Sequence, residues 1–286
     1  MTDNEGNETG SSIGSFLIWQ QPHAIYLPEL IYRNKSTKAT LQKYQKIVFA
    51  TADFMASFAH YDEATGRYNL GKGIIPAQES FEPAQTFNSP YELAYWKWAL
   101  QVAQNWRKRL GLAPDKQWQD VIDKLAPLAQ KDGLYSAAES ADDSYSPKSR
   151  YTSDHPAVLA AIGTLPANGV VDTAVMHRTY NTIERVWHWD KTWGWDFPMV
   201  AMTATRLNQP EDAINALFKS ITTNTYLING HNYQDKRLTL YMPGNGSLLA
   251  AIALMCAGYD GNKIKNPGIP KNGQWSVKWE GLKPLP

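Results

Sequence analysis

The stretch Ser89-Pro90-Tyr91-Glu92-Leu93-Ala94-Tyr95-Trp96-Lys97-Trp98 decides the fold class. Ser is a preferred helix cap, Pro suits the first helical position, and a Glu three residues after the cap completes a capping box. Apolar positions then recur at three- and four-residue steps through Tyr95, Trp98, Val102, Trp106 and Leu110, until Gly111 ends the helix. Upstream, Leu41, Tyr44, Val48, Ala52, Met55 and Phe58 make a second helical stripe. Residues 61–87 between the two helices form a connection much longer than usual, and such excursions carry function. Within it, residues 62–68 read as a small β-hairpin. Downstream, helices are expected over residues 116–130, 156–163, 173–187, 197–207, 210–219 and 247–257. The tail, residues 262–286, is rich in Gly, Pro, Lys and Trp and is expected to be non-helical, with residues 275–279 alternating like a strand.

The chain has 286 residues and a formal net charge of +1, with a pI near 7.8. That balance gives no argument for nucleic acid or for an anionic membrane surface as a partner. No apolar run reaches the ~18 residues that cross a bilayer. The one cysteine, Cys256, sits in an apolar run, where a small buried hydrophobe is expected and an internal disulfide is excluded. The polar first residues are no signal peptide. There is no glycine-rich phosphate loop, no Cys/His metal spacing and no G-x-S-x-G elbow, so no cofactor and no metal are expected.

What does stand out is 11 Trp and 15 Tyr, with carboxylates at the mouths of helices. Two segments concentrate this. One is the acidic turn Pro76-Ala77-Gln78-Glu79-Ser80-Phe81. The other runs from Trp187, His188, Trp189 and Asp190 through Thr192, Trp193 and Gly194 to Trp195 and Asp196. Trp rings stack on the apolar faces of pyranoses, although aromatic rings also fill helical cores. Paired helices with long loops bearing Trp and carboxylates suggest an all-α toroid with a site at one end, where the inner helices begin.

At these residues the sequence resembles the six-hairpin, (α/α)6-barrel glycoside hydrolases, in particular the clan that holds the family 65 phosphorylases and acid trehalases and the family 95 fucosidases. Pro76-Ala77-Gln78-Glu79-Ser80-Phe81 followed by Asn88-Ser89-Pro90-Tyr91 is similar to the acid-bearing G-P-D-E-Y-H and S-P-E-N-S-F turns of those families. Trp193-Gly194-Trp195-Asp196 running to Ala204-Thr205-Arg206-Leu207 resembles the fucosidase T-G-W-S-L-A-W-K-I-N-L-W-A-R-L. The chain departs from the pattern at Pro243-Gly244-Asn245-Gly246-Ser247, where one branch has Asp and the other Glu. The resemblance implies an all-α (α/α)6 toroid of which residues 1–261 are a partial catalytic barrel and residues 262–286 an extended tail packed on it. It also implies that earlier hairpins lie upstream of Met1 and are required for activity. A signal peptide on that upstream part would make the protein periplasmic or secreted.

Glycoside cleavage needs a carboxylic acid to protonate the departing oxygen and, in hydrolases, a carboxylate to activate water or attack carbon. The resemblance places Glu79 on the acid. Its apolar neighbours Ile74, Ile75, Pro76 and Phe81 are expected to raise its pKa toward neutrality. Glu82 is its nearest rival. Asp196 and Asp190 compete for the second carboxylate, and Asp196 also suits a helix cap. Glu8 is a further acidic candidate, grouped with the substrate-binding residues. Trp19, Gln20, Gln21 and His23 offer a ring, amides and an imidazole, unless Gln21 and His23 only satisfy backbone at Pro22. Trp193 and Trp195 offer stacking faces, and His231, Asn232, Gln234 and Asn245 are too hydrophilic for a core and are expected to line the pocket. The resulting expectation is an inverting glycoside hydrolase acting on an oligosaccharide or glycoconjugate. Its alternatives are a disaccharide phosphorylase and a non-catalytic carbohydrate-binding toroid that lost its base.

Overall fold

The computed structural model describes residues 5, 7, 13–166 and 169–286. The chain forms two compact units: Met1–Lys131 with Ser136–Asp142, and Asp132–Tyr135 with Asp143–Pro286.

The first unit holds helices α1 (His23–Asn34), α2 (Lys38–Phe58), α3 (Pro90–Arg109) and α4 (Lys116–Lys124). Helix α2 starts where Thr37 accepts the Thr40 N–H at 3.2 Å, and its stripe Leu41, Val48, Ala52 and Met55 is buried. Helix α3 packs against α1, α2 and α4 and buries Tyr91, Tyr95, Trp96, Trp98 and Trp106. The Trp96 indole N–H donates to Met55 O at 2.9 Å, and Trp118 of α4 donates to Asp53 at 3.0 Å. Gly111, at φ +74°, ends the turn after α3 as expected.

Two local expectations are corrected in this unit. The capping box does not form: Ser89 makes no side-chain cap bond, because Glu92 is engaged by the Ala77 N–H instead. Helix α4 stops at Lys124 rather than at residue 130, since Pro127 cannot continue it and the Ala126 N–H turns to Tyr68 O at 2.8 Å. Helix α1 is an addition to the helices expected from the sequence. Pro22 serves as its cap residue, and Pro28 is buried inside it. The hairpin forms as expected, with His60–Asp62 antiparallel to Arg67–Asn69.

The second unit is built around α7 (Asp196–Arg206), all of whose 11 residues are buried. Around it pack α5 (Ala160–Gly163), α8 (Pro210–Leu217) and α9 (Met242–Ala257), while α6 (Thr173–Val186) is capped by Asp172. The approach of α5 is close enough that a Cβ on Gly163 would lie 2.3 Å from Thr203 Oγ1. Helix α9 begins five residues before the expected 247, with Pro243 in its first turn. Residues 262–286 are non-helical, but residues 275–279 form no strand. Alternation needs a partner strand, and the tail's one bridge among the described residues joins Tyr259 to Leu285. The tail nonetheless seats on the helices: Arg206 donates to Pro286 O at 2.6 Å and the Gly268 N–H to Met255 O at 3.1 Å. Cys256 is buried, and burial raises its thiol pKa, the inert state expected of it.

Candidate active site

In the first unit the excursion after the hairpin is clamped at both ends. Gly71 sits at φ +96° with Thr86 O so close that a Cβ would meet it at 2.7 Å, so only glycine fits. Asn88, itself at φ +53°, accepts the Leu70 N–H at 2.8 Å and donates to Glu139 at 2.7 Å. Glu139 in turn pairs with Arg67. Between these clamps the Ile75 N–H donates to Phe16 O at 3.0 Å, which lays the segment leading to Trp19 beside the acidic turn. Two residues on, the Ala77 N–H donates to Glu92 Oε1 at 2.8 Å. Ile74, Ile75, Ala77, Gln78 and Phe81 are all buried, whereas Glu79 is exposed. The apolar surroundings expected to act on Glu79 therefore lie beneath it and do not enclose it. Glu82 is exposed as well.

The start of α3 carries a run of rings. Tyr91 stacks on Tyr95 with centroids 5.6 Å apart, and Trp19 lies 6.4 Å from Tyr91 and 5.6 Å from His23. His23 Nδ1 stands 2.8 Å from the Tyr95 hydroxyl, so its ring is tied to α3 and does not merely satisfy backbone at Pro22. Burial lowers the His23 pKa and raises that of Tyr95, which keeps both groups neutral at neutral pH. Gln20 and Gln21 are exposed on the turn before α1. Glu8 lies outside the described residues.

The second unit gathers the tryptophan cluster about a dyad. Asp196, in the first turn of α7, has no exposed surface. Its oxygens lie 2.9 and 3.0 Å from His155 Nδ1, and Oδ2 accepts the Trp193 N–H at 2.8 Å. Burial pushes the Asp196 carboxyl up, and the facing His155 opposes that shift. The His155 ring stands 4.6 Å from Trp195 and 6.1 Å from Trp193, both of which keep a partly exposed face. Asp190 is exposed on the short turn Trp189–Lys191.

The polar cluster downstream supports this loop. Asn232 and Gln234 are buried, which departs from the expectation that they are too hydrophilic for a core. Gln234 accepts the Gly194 N–H at 3.0 Å and donates to Thr192 O at 3.3 Å. Asn232 donates to Thr223 O at 3.1 Å, and its Oδ1 presses on Gly194 so closely that a Cβ there would lie 1.8 Å away. Asn245, partly exposed, accepts the Asn232 N–H at 3.0 Å and donates to Gly230 O at 2.7 Å. The backbone partners of Gln234 and of the Asn232 amide nitrogen offset their burial, while Asn232 Oδ1 is buried without a hydrogen bond. His231 is partly exposed on the same segment.

The structure thus brings Trp19 and His23 to the helix start that anchors the acidic turn, and brings Trp193, Trp195, Asp196 and Gln234 together in the second unit. Sequence reasoning missed His155, Tyr95 and the use of Glu92. The first has a local signal in Asp154-His155-Pro156, and Glu92 was assigned to a cap it does not make.

No protein-family model and no curated protein matches the chain. Among solved structures it is similar to one described as "Putative kojibiose phosphorylase from human microbiome", with a TM-score of 0.65 and 14% identity over 90% of this chain. The likeness establishes the fold as all-α, of the helical-hairpin toroid class expected from the sequence. The chain spans 42% of the length of that protein. Among the described residues no helix is long and apolar enough to cross a membrane.

Proposed function

We propose that this chain forms part of the catalytic region of a carbohydrate-active enzyme that cleaves a glycosidic bond, with Glu79 as the general acid. One observation carries the reading: Glu79 is the exposed carboxyl on a turn whose Pro76, Ala77, Gln78 and Phe81 are buried and which is pinned to the start of α3, in a chain with this fold. The Glu79 carboxyl gives its proton to the glycosidic oxygen as the bond to the anomeric carbon breaks. Water attacking the anomeric carbon from the opposite face forms the new C–O bond as the glycosidic bond breaks and gives up a proton to a general-base carboxylate. The product is a free sugar with inverted configuration. In the second unit by itself, Trp193 and Trp195, held by Asp196, His155 and Gln234, offer partly exposed faces on which a sugar ring can stack.

Phosphorolysis is the second reading, favoured by the description of the structural neighbour and by the likeness of the acidic turn to that of the family 65 enzymes. Phosphate then attacks the anomeric carbon, and no protein carboxylate is needed to activate it. The test is to incubate the full-length protein with kojibiose, maltose, trehalose and a panel of other oligosaccharides, with and without phosphate. Hydrolysis releases free sugars in both buffers, and phosphorolysis yields a sugar phosphate in one alone. Saturable binding with no turnover in either buffer would contradict the enzymatic reading and support a binding protein.

A further inference from the structure

Beneath the acidic turn lies a carboxyl that the reaction above does not use. Glu92 has no exposed surface, and its Oε1 accepts the Ala77 N–H at 2.8 Å. A glutamate at this position of a helix ordinarily reaches back to its own cap. Here it reaches a residue 15 positions upstream. Ile75 is already held by Phe16 O, so the backbone is fixed at alternate residues, Ile75 and Ala77. The next alternate residue is Glu79.

We propose that Glu92 is a positioning residue for Glu79, fixing through the Ala77 N–H the place where the exposed carboxyl meets the leaving oxygen. The inference rests on the reading of Glu79 as the acid. The anchor itself is firm. Helix α3 is tied to α2 through Trp96 and Met55 O, and Tyr91 and Tyr95 stack on either side of Glu92 in sequence. The task needs an acceptor oxygen and no charge. Burial raises the Glu92 pKa, and a neutral carboxylic acid keeps its carbonyl oxygen free to accept. Placement matters because a shift of about 1 Å at a reacting group can cost on the order of 100-fold in rate.

The experiment compares Glu92→Leu, Glu92→Gln and Glu79→Gln in the full-length protein. Each is assayed on the disaccharide it turns over and on an aryl glycoside with a good leaving group. Glu92→Leu should lower kcat on the disaccharide by about 30- to 100-fold with KM within about threefold. On the aryl glycoside the loss should shrink below about fivefold, because that leaving group needs little protonation. Glu92→Gln keeps an acceptor and should restore kcat to within about threefold of wild type. Hydrogen exchange at the Ala77 amide should be slow in wild type and Glu92→Gln and fast in Glu92→Leu. Adding Glu92→Leu to Glu79→Gln should cost little more, since both act on one proton transfer.

Equal losses on the two substrates, or an unaffected Glu92→Leu, would overturn the proposal. If Glu92→Leu does not fold, Glu92→Gln decides: lost activity with Ala77 still protected overturns it, and retained activity with protection supports it. The two layers separate cleanly. A fully active Glu79→Gln overturns the acid assignment, whereas an inactive Glu79→Gln beside an unaffected Glu92→Leu overturns the positioning role alone.

Discussion

The two ends of α3 place a buried glutamate in opposite circumstances. At the far end, Glu29 of α1 accepts the Trp106 indole N–H at 2.6 Å and a forked pair of bonds from Arg109 at 2.6 and 3.0 Å. Arg33 stands 3.7 Å away, and the Arg109 guanidinium lies 4.4 Å from the centre of the Tyr32 ring. Both oxygens of Glu29 are used, in the planar, two-pronged geometry that makes arginine–carboxylate pairs strong. At the near end, Glu92 Oε1 holds the Ala77 N–H. Its Oε2 faces Ser89 without a hydrogen bond of good geometry. Trp19 Nε1 and Ser80 Oγ are also buried without a partner. One helix therefore has an end whose buried carboxylate is fully paired and an end where Glu92 Oε2 and Ser89 Oγ are buried without a hydrogen bond. Native proteins leave few buried polar atoms unpaired, and local rules tend to be broken at functional sites. The second end is the one beside Glu79.

Substitutions at the two ends should therefore behave differently. The largest stability effect is expected from Glu29→Ala, which leaves Arg109 unpaired and the Trp106 N–H buried. It should cost about 3 kcal/mol or more of unfolding free energy, read by urea denaturation, while the folded protein keeps its specific activity. A cost below about 1 kcal/mol would break the contrast between the ends. Glu92→Gln should change stability by less than about 1 kcal/mol near pH 4, where the glutamate is protonated in both states, because it keeps the acceptor.

The finest test is the pH slope. Burial raises the folded-state pKa of Glu92 above its ordinary value of 4.5, so the folded protein binds that proton more tightly than the unfolded chain. Its contribution to stability is fully present below about pH 4 and is lost as pH rises through the raised folded pKa. Wild type should thus lose stability relative to Glu92→Gln over that window, in denaturant titrations run at several pH values. A parallel pair of curves would show that Glu92 is not held neutral.

Much of the fold was legible because it is written in local rules. The Ser-Pro start and the periodic aromatics marked α3, and a clean stripe marked α2. Where the sequence reading failed, a nonlocal partner or a proline had intervened. Helix α1 runs through Pro28, and Pro127 cut α4 short once Ala126 had turned to Tyr68 O. Residues 275–279 alternate, yet among the described residues no neighbouring backbone pairs with them as a strand. Within the candidate site, Trp19 and His23 stood out by residue type, and the structure ties both to α3. Glu92 was visible but assigned to the wrong bond, because its partner lies 15 residues away. His155 meets Asp196 across 41 residues, and no periodicity or motif spacing links such a pair. Asn232 and Gln234 looked too polar for an interior until their backbone partners were known.

The central claim is that the exposed carboxyl beside the start of α3 delivers the proton, and the direct measurement is the turnover of Glu79→Gln in the full-length protein. The glutamine keeps the shape and cannot give up a proton. On a natural disaccharide, kcat should fall by about 10²- to 10⁴-fold, with unfolding free energy within about 0.5 kcal/mol of wild type, as befits an exposed position. Near-normal turnover of that disaccharide by a folded Glu79→Gln protein would contradict the account.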